Sequence, residues 1–385
     1  MYRIGVLTGT RAEYGLLKPL MEKINNDPGL ELYLIVTGAH LEERLGNTCE
    51  QIERDALPIG AKIPMGLAED TPQGICVSIG RELAGLSETF RDAALDLLVL
   101  LGDRYEALAA AVAAVLFRIP VAHIHGGETT EGAIDDMMRH AITKLSQLHF
   151  ASTTKYAERI IRMGEQPGQV HAVGALGVEN IKTMNLLRRE TLATQFGSLF
   201  LKPYVMVTYH PVTLDDESAE QQIEALFAAL EKHPEYNYIF TYANADRGGA
   251  AINEMLESFA NEHANAAVFS SMGQVGYLSA LHYASAVVGN SSSGIIEAPS
   301  FHIPTVDIGR RQRGRMAGDS VLHCGNGCGE ICAALDAALS EEFRQKCRAA
   351  RNPYEGSGTS MAIVMEIKKA LEQGICMQKK FYDGV

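Results

Sequence analysis

Six short apolar runs, at 3–8, 30–37, 97–101, 120–124, 148–151 and 170–173, punctuate the first half of this sequence. Helical patterns starting near Gly15, Thr71, Arg104, Ile134 and Thr153 fill the intervals. The run 97–101 reads Leu-Leu-Val-Leu-Leu. A strand apolar on both faces needs cover on both, which a parallel sheet flanked by helices supplies. Thr71-Pro72 sets a capping hydroxyl before a proline at a first helical turn, while Asn25-Asn-Asp-Pro-Gly29 stops the helix before it.

The alternation pauses after Gly177, where a polar helical stretch over 179–195 reads as a connector. It then restarts, with strands at 204–208, 238–241, 267–270, 286–288 and 305–308 and helices near 217–232, 249–262, 275–284 and 294–299. At 385 residues the chain exceeds one ordinary core. The expected architecture is α/β, with two doubly wound Rossmann-like domains, 1–176 and 177–358, facing each other across an interdomain cleft. A helix from about 360 to 373, within a closing segment 359–385, is expected to pack back on the first domain. Ligands of such sheets lie beyond the carboxyl ends of the strands, so the residues that follow each strand carry the functional reading.

Charge and composition exclude several classes. Asp plus Glu number 47 against 34 Lys plus Arg, a net charge of −13, which disfavours a nucleic-acid partner and leaves room only for local basic pockets. The longest apolar run, Ala107 to Phe117, is eleven residues, against the roughly 20 that cross a bilayer, so no membrane association is expected. The chain opens on the strand-like 3–8 rather than on a secretory apolar segment, and its seven cysteines are an odd number. A reducing cytoplasm is the expected location. Cys324, Cys328 and Cys332 recur every four residues and could line a helix face, but read as free small hydrophobes rather than metal ligands.

Three segments suggest an anion site. Gly289-Asn-Ser-Ser-Ser-Gly294 follows a strand and enters a helix, offering main-chain N–H groups and hydroxyls to a phosphate, or merely capping its own helix. Thr8-Gly-Thr-Arg11 follows the first strand and places a guanidinium there. Gly309-Arg-Arg-Gln-Arg-Gly-Arg315 holds four arginines in six residues after another strand, and arginine forks match phosphate oxygens in pairs. Glu297 can accept from a ribose diol or serve only the helix dipole. Together these favour a nucleoside diphosphate.

A second group suggests proton transfer. Gly102-Asp103-Arg104 follows the strand 97–101, with Asp103 placed either as a helix cap or as a catalytic carboxylate. His123 and His125 lie two apart on a strand and share a face, followed by Glu128. Asp135 and Arg139 are four apart, at the spacing of an intrahelical ion pair. His123, His125 and Glu128 also admit a metal reading, with no clear further ligand, so no metal is expected. His210 precedes Pro211 at the end of the first strand of the second half.

Gly9-Thr-Arg-Ala-Glu-Tyr14, Gly102-Asp-Arg104, His123-Ile-His-Gly-Gly-Glu128, Asp135-Asp-x-x-Arg-His140, His210-Pro211 and Gly289-Asn-Ser-Ser-Ser-Gly294 occur in that order. In order and spacing this resembles the hydrolysing UDP-N-acetylglucosamine 2-epimerases of sialic-acid biosynthesis. The resemblance runs from about residue 3 to residue 325 and more weakly through Asn352-Pro-Tyr354 to the end. It implies the two-domain glycosyltransferase-B fold, a homodimer or homotetramer, and release of N-acetylmannosamine and UDP through a 2-acetamidoglucal. It further implies that Arg11, His210, Asn244, Ser291, Ser292, Glu297 and Arg311 hold UDP, with uracil against Met272, Gly276 and Tyr277. Acid–base work falls by resemblance to Asp103, His125, Asp135 and Arg139, with His123 and Arg104 beside them. No cofactor is implied: the change at C2 can proceed by proton transfer, and 5–15 lacks the G-x-G-x-x-G spacing of a dinucleotide loop. A substrate bearing a 2,4-diacetamido-trideoxy sugar, and a non-hydrolysing epimerase, remain open alternatives.

Overall fold

The computed structural model describes residues 1–384 apart from 44–47, 68–70, 131–133, 213–217 and 244–247. The chain divides into two compact units. The first comprises Met1–Glu128, Asp135–Asn180 and Gly356–Val385, and the second Thr129–Ile134 and Ile181–Glu355. Among the described residues no helix is long and apolar enough to cross a membrane.

The first unit runs β1 (Tyr2–Thr8), α1 (Arg11–Asn26), β2 (Leu30–Thr37), α2 (Cys49–Arg54), β3 (Ile59–Ile63), α3 (Pro72–Ala93), β4 (Leu97–Leu101), α4 (Tyr105–Phe117), β5 (Val121–Ile124), α5 (Asp135–Leu145), β6 (Leu148–Ala151), α6 (Thr154–Arg162), β7 (Val170–Ala172) and the first part of α7 (Leu176–Thr183), whose last three residues fall in the second. Its seven strands form one sheet in the order β3-β2-β1-β4-β5-β6-β7, every neighbouring pair parallel. The apolar code of β4 explains the layers. Leu97, Val99 and Leu101 pack into the cluster with Leu17, Leu20 and Ile24 of α1, while Leu98 and Leu100 pack into the one with Ala110 and Ala114 of α4. Each fully buried leucine contributes roughly 1.5–3 kcal/mol, and truncating one such as Leu100 to alanine costs about 2–5 kcal/mol.

The second unit runs α8 (Arg189–Phe196), β8 (Tyr204–Thr208), α9 (Ala219–Leu230), β9 (Asn237–Thr241), α10 (Gly249–Glu262), β10 (Ala266–Phe269), α11 (Gly273–Tyr283), β11 (Ala286–Gly289), α12 (Ser293–Ile296), β12 (Thr305–Ile308), β13 (Val321–Cys324), α13 (Cys328–Leu339) and α14 (Glu341–Ala349). Its sheet is again all parallel, in the order β10-β9-β8-β11-β12-β13. The last helix, α15 (Thr359–Gln373), belongs to the first unit, where Ile363, Val364 and Ile367 join the α1 cluster. Both sheets are doubly wound. Strand order reverses between β1 and β4 in one and between β8 and β11 in the other, and such reversals open the crevices that bind ligands.

Several elements differ from the sequence pattern. Helix α1 begins at Arg11 rather than near Gly15, because Thr10 and Glu13 form a reciprocal capping box. Strands β3 and β13 give no clear apolar run because each borders its sheet and stays part-exposed. The stretch 179–195 is not one connector helix; it is split between α7 and α8. The helix expected at 294–299 is the four-residue α12 followed by a 3₁₀ turn over Ala298–Phe301. Cys324 lies on β13, so it does not share a helix face with Cys328 and Cys332 of α13.

Candidate active site

In the first unit the chemistry-bearing residues collect at the carboxyl ends of β1, β4 and β5. Glu13 Oε2 accepts from the N–H groups of Gly9 and Thr10 at 2.9 and 3.0 Å, which fixes the turn from β1 into α1. Arg11 is thereby placed, exposed, in the first turn of α1. A guanidinium there opposes the helix dipole, an arrangement that gains sense when an anion binds. At the next crevice edge Gly102 donates to Ile124 O at 3.0 Å, so Asp103 and His125 leave neighbouring strands side by side.

Arg139, 3% exposed and one turn into α5, donates its Nη2 to Asp103 Oδ2 and stands 3.6 Å from Asp136. The guanidinium thus ties α5 to the end of β4, a link the i,i+4 spacing with Asp135 does not suggest. His125 has φ +65°, a left-handed conformation that strains a side chain with a Cβ and is found where a site demands it. Its Nδ1 lies 3.7 Å from Glu128 Oε1, and Ser152 Oγ donates to that same oxygen at 2.6 Å. Arg159 holds the intervening turn by donating to Gly127 O at 2.5 Å. The result is a buried carboxylate close beside an imidazole, with a hydroxyl holding the carboxylate.

His123 and Arg104 behave differently from the acid–base group they were read beside. The imidazole of His123 is fully buried, with Nε2 donating to Gly102 O at 2.7 Å and Nδ1 accepting from Thr143 Oγ1 at 3.1 Å. Burial pushes its pKa down to about 3, so it stays neutral and braces the β4 turn. Both nitrogens being engaged also removes His123 from the metal reading, and among the described residues no cluster could hold a metal ion. Arg104 commits its guanidinium to Glu106, Nε and Nη2 each donating at 3.1 Å. Close to Glu106 lie Glu13, whose carboxyl burial and the Glu106 charge push up to about 7, and Glu82. Glu82 is fully buried with neither oxygen hydrogen-bonded among the described residues, and burial pushes its carboxyl up to about 10. Neither Glu82 nor the placement of Glu128 beside His125 was visible in the sequence; the Thr10-x-x-Glu13 box was, as a capping signature.

In the second unit the anion-binding candidates lie where β8 and β11 part. His210 N–H donates to Asn290 Oδ1 at 2.7 Å, and Asn290 Nδ2 donates back to His210 O at 2.8 Å. Asn290 O accepts from Arg311 Nη1 at 3.1 Å and from the buried Gln312 Nε2 at 2.8 Å. One asparagine therefore joins the His210 turn to the arginine-rich segment after β12. Gly289 allows this: its φ is +136°, and a Cβ would stand 1.9 Å from Thr208 O. Ser291 and Ser292 form the turn into α12, with Glu297 just beyond that helix. Tyr277 donates to Ser293 Oγ at 2.9 Å, and its hydroxyl is pushed up to about 12 by burial. Glu297 is raised by burial too. Met272 immediately precedes α11, and Gly276 packs against the Phe196 ring. Asn244 lies outside the described residues.

The family model described as UDP-N-acetylglucosamine 2-epimerase matches residues 22–368. The chain is 37% identical over 382 residues to the GDP/UDP-N,N'-diacetylbacillosamine 2-epimerase (hydrolyzing) of Campylobacter jejuni, covering 99% of each. It is 35% identical to the polysialic acid biosynthesis protein P7 of Escherichia coli, covering 100% of this chain and 98% of that one. The UDP-GlcNAc 2-epimerase of Methanocaldococcus jannaschii, solved in complex with UDP-GlcNAc and UDP, shares the fold with a TM-score of 0.78 at 17% identity, covering 95% of this chain and 99% of that one. The two doubly wound sheets, the strand-end motifs in register and this end-to-end similarity lead to one conclusion: the chain belongs to the UDP-N-acetylglucosamine 2-epimerase family and is a UDP-sugar 2-epimerase.

Proposed function

We propose that the protein is a hydrolysing epimerase that converts UDP-N-acetylglucosamine to N-acetylmannosamine and UDP. The observation that carries this reading is the constellation in the first unit, where Asp103, paired with Arg139 of α5, and His125, beside Glu128, leave adjacent strands. Such a set can move a proton to and from carbon. In this reading Arg311, the serines 291 and 292 and His210 of the second unit are the residues that would hold the nucleotide.

Proton loss from C2 of a sugar is difficult because no carbonyl adjoins it. Breaking the C1–O bond first leaves an oxocarbenium-like centre that acidifies the C2 hydrogen. UDP departs with the bonding pair, and the cationic and N–H groups around it stabilise that charge, an effect typically worth several kcal/mol. His125, Asp103 or Asp135 then takes the C2 proton and leaves the glycal. Water adds its oxygen to C1 while a proton returns to C2 from the opposite face. General acid–base assistance of this kind contributes typically 10²–10⁴-fold.

A second reading draws on the C. jejuni relative, whose name specifies a diacetylated sugar. A UDP-2,4-diacetamido-trideoxyhexose differs from UDP-N-acetylglucosamine around C4 and C6, and would follow the same steps at C1 and C2. One experiment tests both. The purified protein is incubated with each UDP-sugar in D₂O and followed by NMR. Release of the free 2-epimer with deuterium at C2 is expected. A freed sugar that keeps its original C2 hydrogen overturns the mechanism; turnover of only the diacetamido sugar transfers it to the second substrate; and retention of UDP on C1 of the product overturns hydrolysis.

A further inference from the structure

Helix α5 carries Asp135 and Arg139 in its first turns, and a separate set of contacts holds its other end. A helix leaves its last four carbonyls without intrahelical partners. In α5, Ile142 O accepts from Ser146 Oγ at 2.7 Å and Leu145 O from Gln147 Nε2 at 3.3 Å. Lys144 O accepts from Lys379 Nζ at 2.9 Å, and Thr143 O lies 3.5 Å from the same ammonium. Lys379 also donates to Ser146 O at 2.6 Å and stands 2.7 Å from Glu165 Oε2. A cation supplied by a residue 235 positions away thus caps this helix, where the dipole is negative and favours positive charge.

The segment that brings Lys379 there is itself built in. Glu165, buried, also accepts from Lys144 Nζ at 2.6 Å and from His149 Nε2 at 3.0 Å. Tyr382 N–H donates to Gly164 O at 2.9 Å, and Gln166 Nε2 donates to Lys380 O at 3.1 Å. The Phe381 ring lies where any side chain at 164 would be, since a Cβ there would meet the ring at 2.3 Å. The ammonium of Lys144 sits 4.9 Å from the centre of that ring. The last residues of the chain therefore form a strap across the end of α5 and the turn after α6.

The capped end communicates with the site through consecutive contacts. Thr143, whose carbonyl faces Lys379, bonds His123 through its hydroxyl; His123 donates to Gly102 O; and Asp103, next in the chain, takes the Arg139 guanidinium of the same helix.

We propose that Lys379 is a positioning residue for the epimerase reaction, capping α5 from the C-terminal strap so that Asp135 and Arg139 are presented in register with Asp103. The proposal rests on the assignment of those three residues to the acid–base step. The test compares Lys379→Met, Lys379→Arg and Phe381→Ala with the parent protein. For Lys379→Met the expected outcome is a kcat lowered about tenfold or more, KM and UDP affinity within about twofold, and faster amide hydrogen exchange confined to α5. Lys379→Arg should recover most of kcat, since a guanidinium can donate to the same carbonyls. Phe381→Ala, at an exposed position that can be truncated without unfolding the unit, should show a smaller fall of the same kind. Unchanged kcat and unchanged α5 exchange in Lys379→Met overturn the proposal, as does a loss of UDP affinity in step with kcat, which marks general destabilisation. Asp135→Asn is run alongside. If it turns over normally, the acid–base assignment fails by itself, and α5 exchange in the strap variants still decides whether Lys379 positions the helix.

Discussion

Asn290 and His210 exchange two hydrogen bonds, the side-chain amide of one donating to and accepting from the main chain of the other. The pair clamps the ends of β8 and β11 at the point where the second sheet reverses its order. Asn290→Ala removes both bonds and leaves the His210 N–H without its partner, at a cost of roughly 1–3 kcal/mol. The same residue's main-chain carbonyl accepts from Arg311 and Gln312; alanine keeps that carbonyl but loses the side-chain bonds that anchor it, so UDP affinity should fall about tenfold, equivalent to roughly 1.4 kcal/mol. Calorimetric titration of UDP checks this; undiminished affinity in a folded variant refutes the clamp.

The two units should separate by their mutational signatures. His125→Ala and Asp135→Asn are expected to lower kcat by about 10²-fold or more while UDP still binds. Arg311→Ala and Ser291→Ala are expected to weaken UDP binding by about tenfold. Titrating UDP against all four variants tests the division, which equal losses of affinity across the set would end.

Glu128 touches His125 and not, by its burial, the solvent. Glu128→Gln keeps the volume and removes the charge that orients the imidazole. Turnover should drop by about 10-fold or more with KM little changed, as for other carboxylates that steady a histidine. A KM effect without a kcat effect would point to substrate contact instead.

Glu82 gives a stability prediction with a definite sign. Burial, and after it the Glu106 and Glu13 charges, raise its carboxyl from 4.5 to about 10. Between those values the native state holds a proton that the unfolded chain has lost, so stability falls as pH rises through the window. Glu82→Gln imitates the protonated form. It should be more stable than the parent at pH 8, each kcal/mol gained raising Tm by about 2–4 °C, and the gain should vanish toward pH 4.5. Thermal unfolding across pH measures it; a lower Tm for the glutamine variant at pH 8 contradicts the reading.

Much of the site could be read from the linear chain because a doubly wound sheet sends ligands to strand ends. Asp103, His125, His210 and Ser291 each lie within three residues of the end of an apolar run, so identifying the run located the residue. The path of Arg139 could not be read that way. Its spacing from Asp135 suggests a local pair, whereas its guanidinium reaches Asp103, thirty-six positions earlier. His123 and His125 look equivalent in sequence, two apart on one strand. The structure separates them, because one imidazole lies wholly within hydrogen-bond reach of Gly102 and Thr143 while the other sits on a left-handed residue beside Glu128.

Apolar periodicity, turn residues and the motifs after each strand were enough to specify two parallel α/β units and to put the candidate residues at their strand ends. These are local signals: burial on both faces, φ preferences and helix caps act over a few residues and leave their mark in composition. Partnership among charged groups is a different matter. Whether Lys379 caps α5, whether Glu82 stays protonated and which carboxylate Arg139 takes depend on distances between segments far apart in the chain. Only the packed fold sets those distances, because a side chain's charge and hydrogen bonding answer to whatever surrounds it and not to its neighbours in sequence.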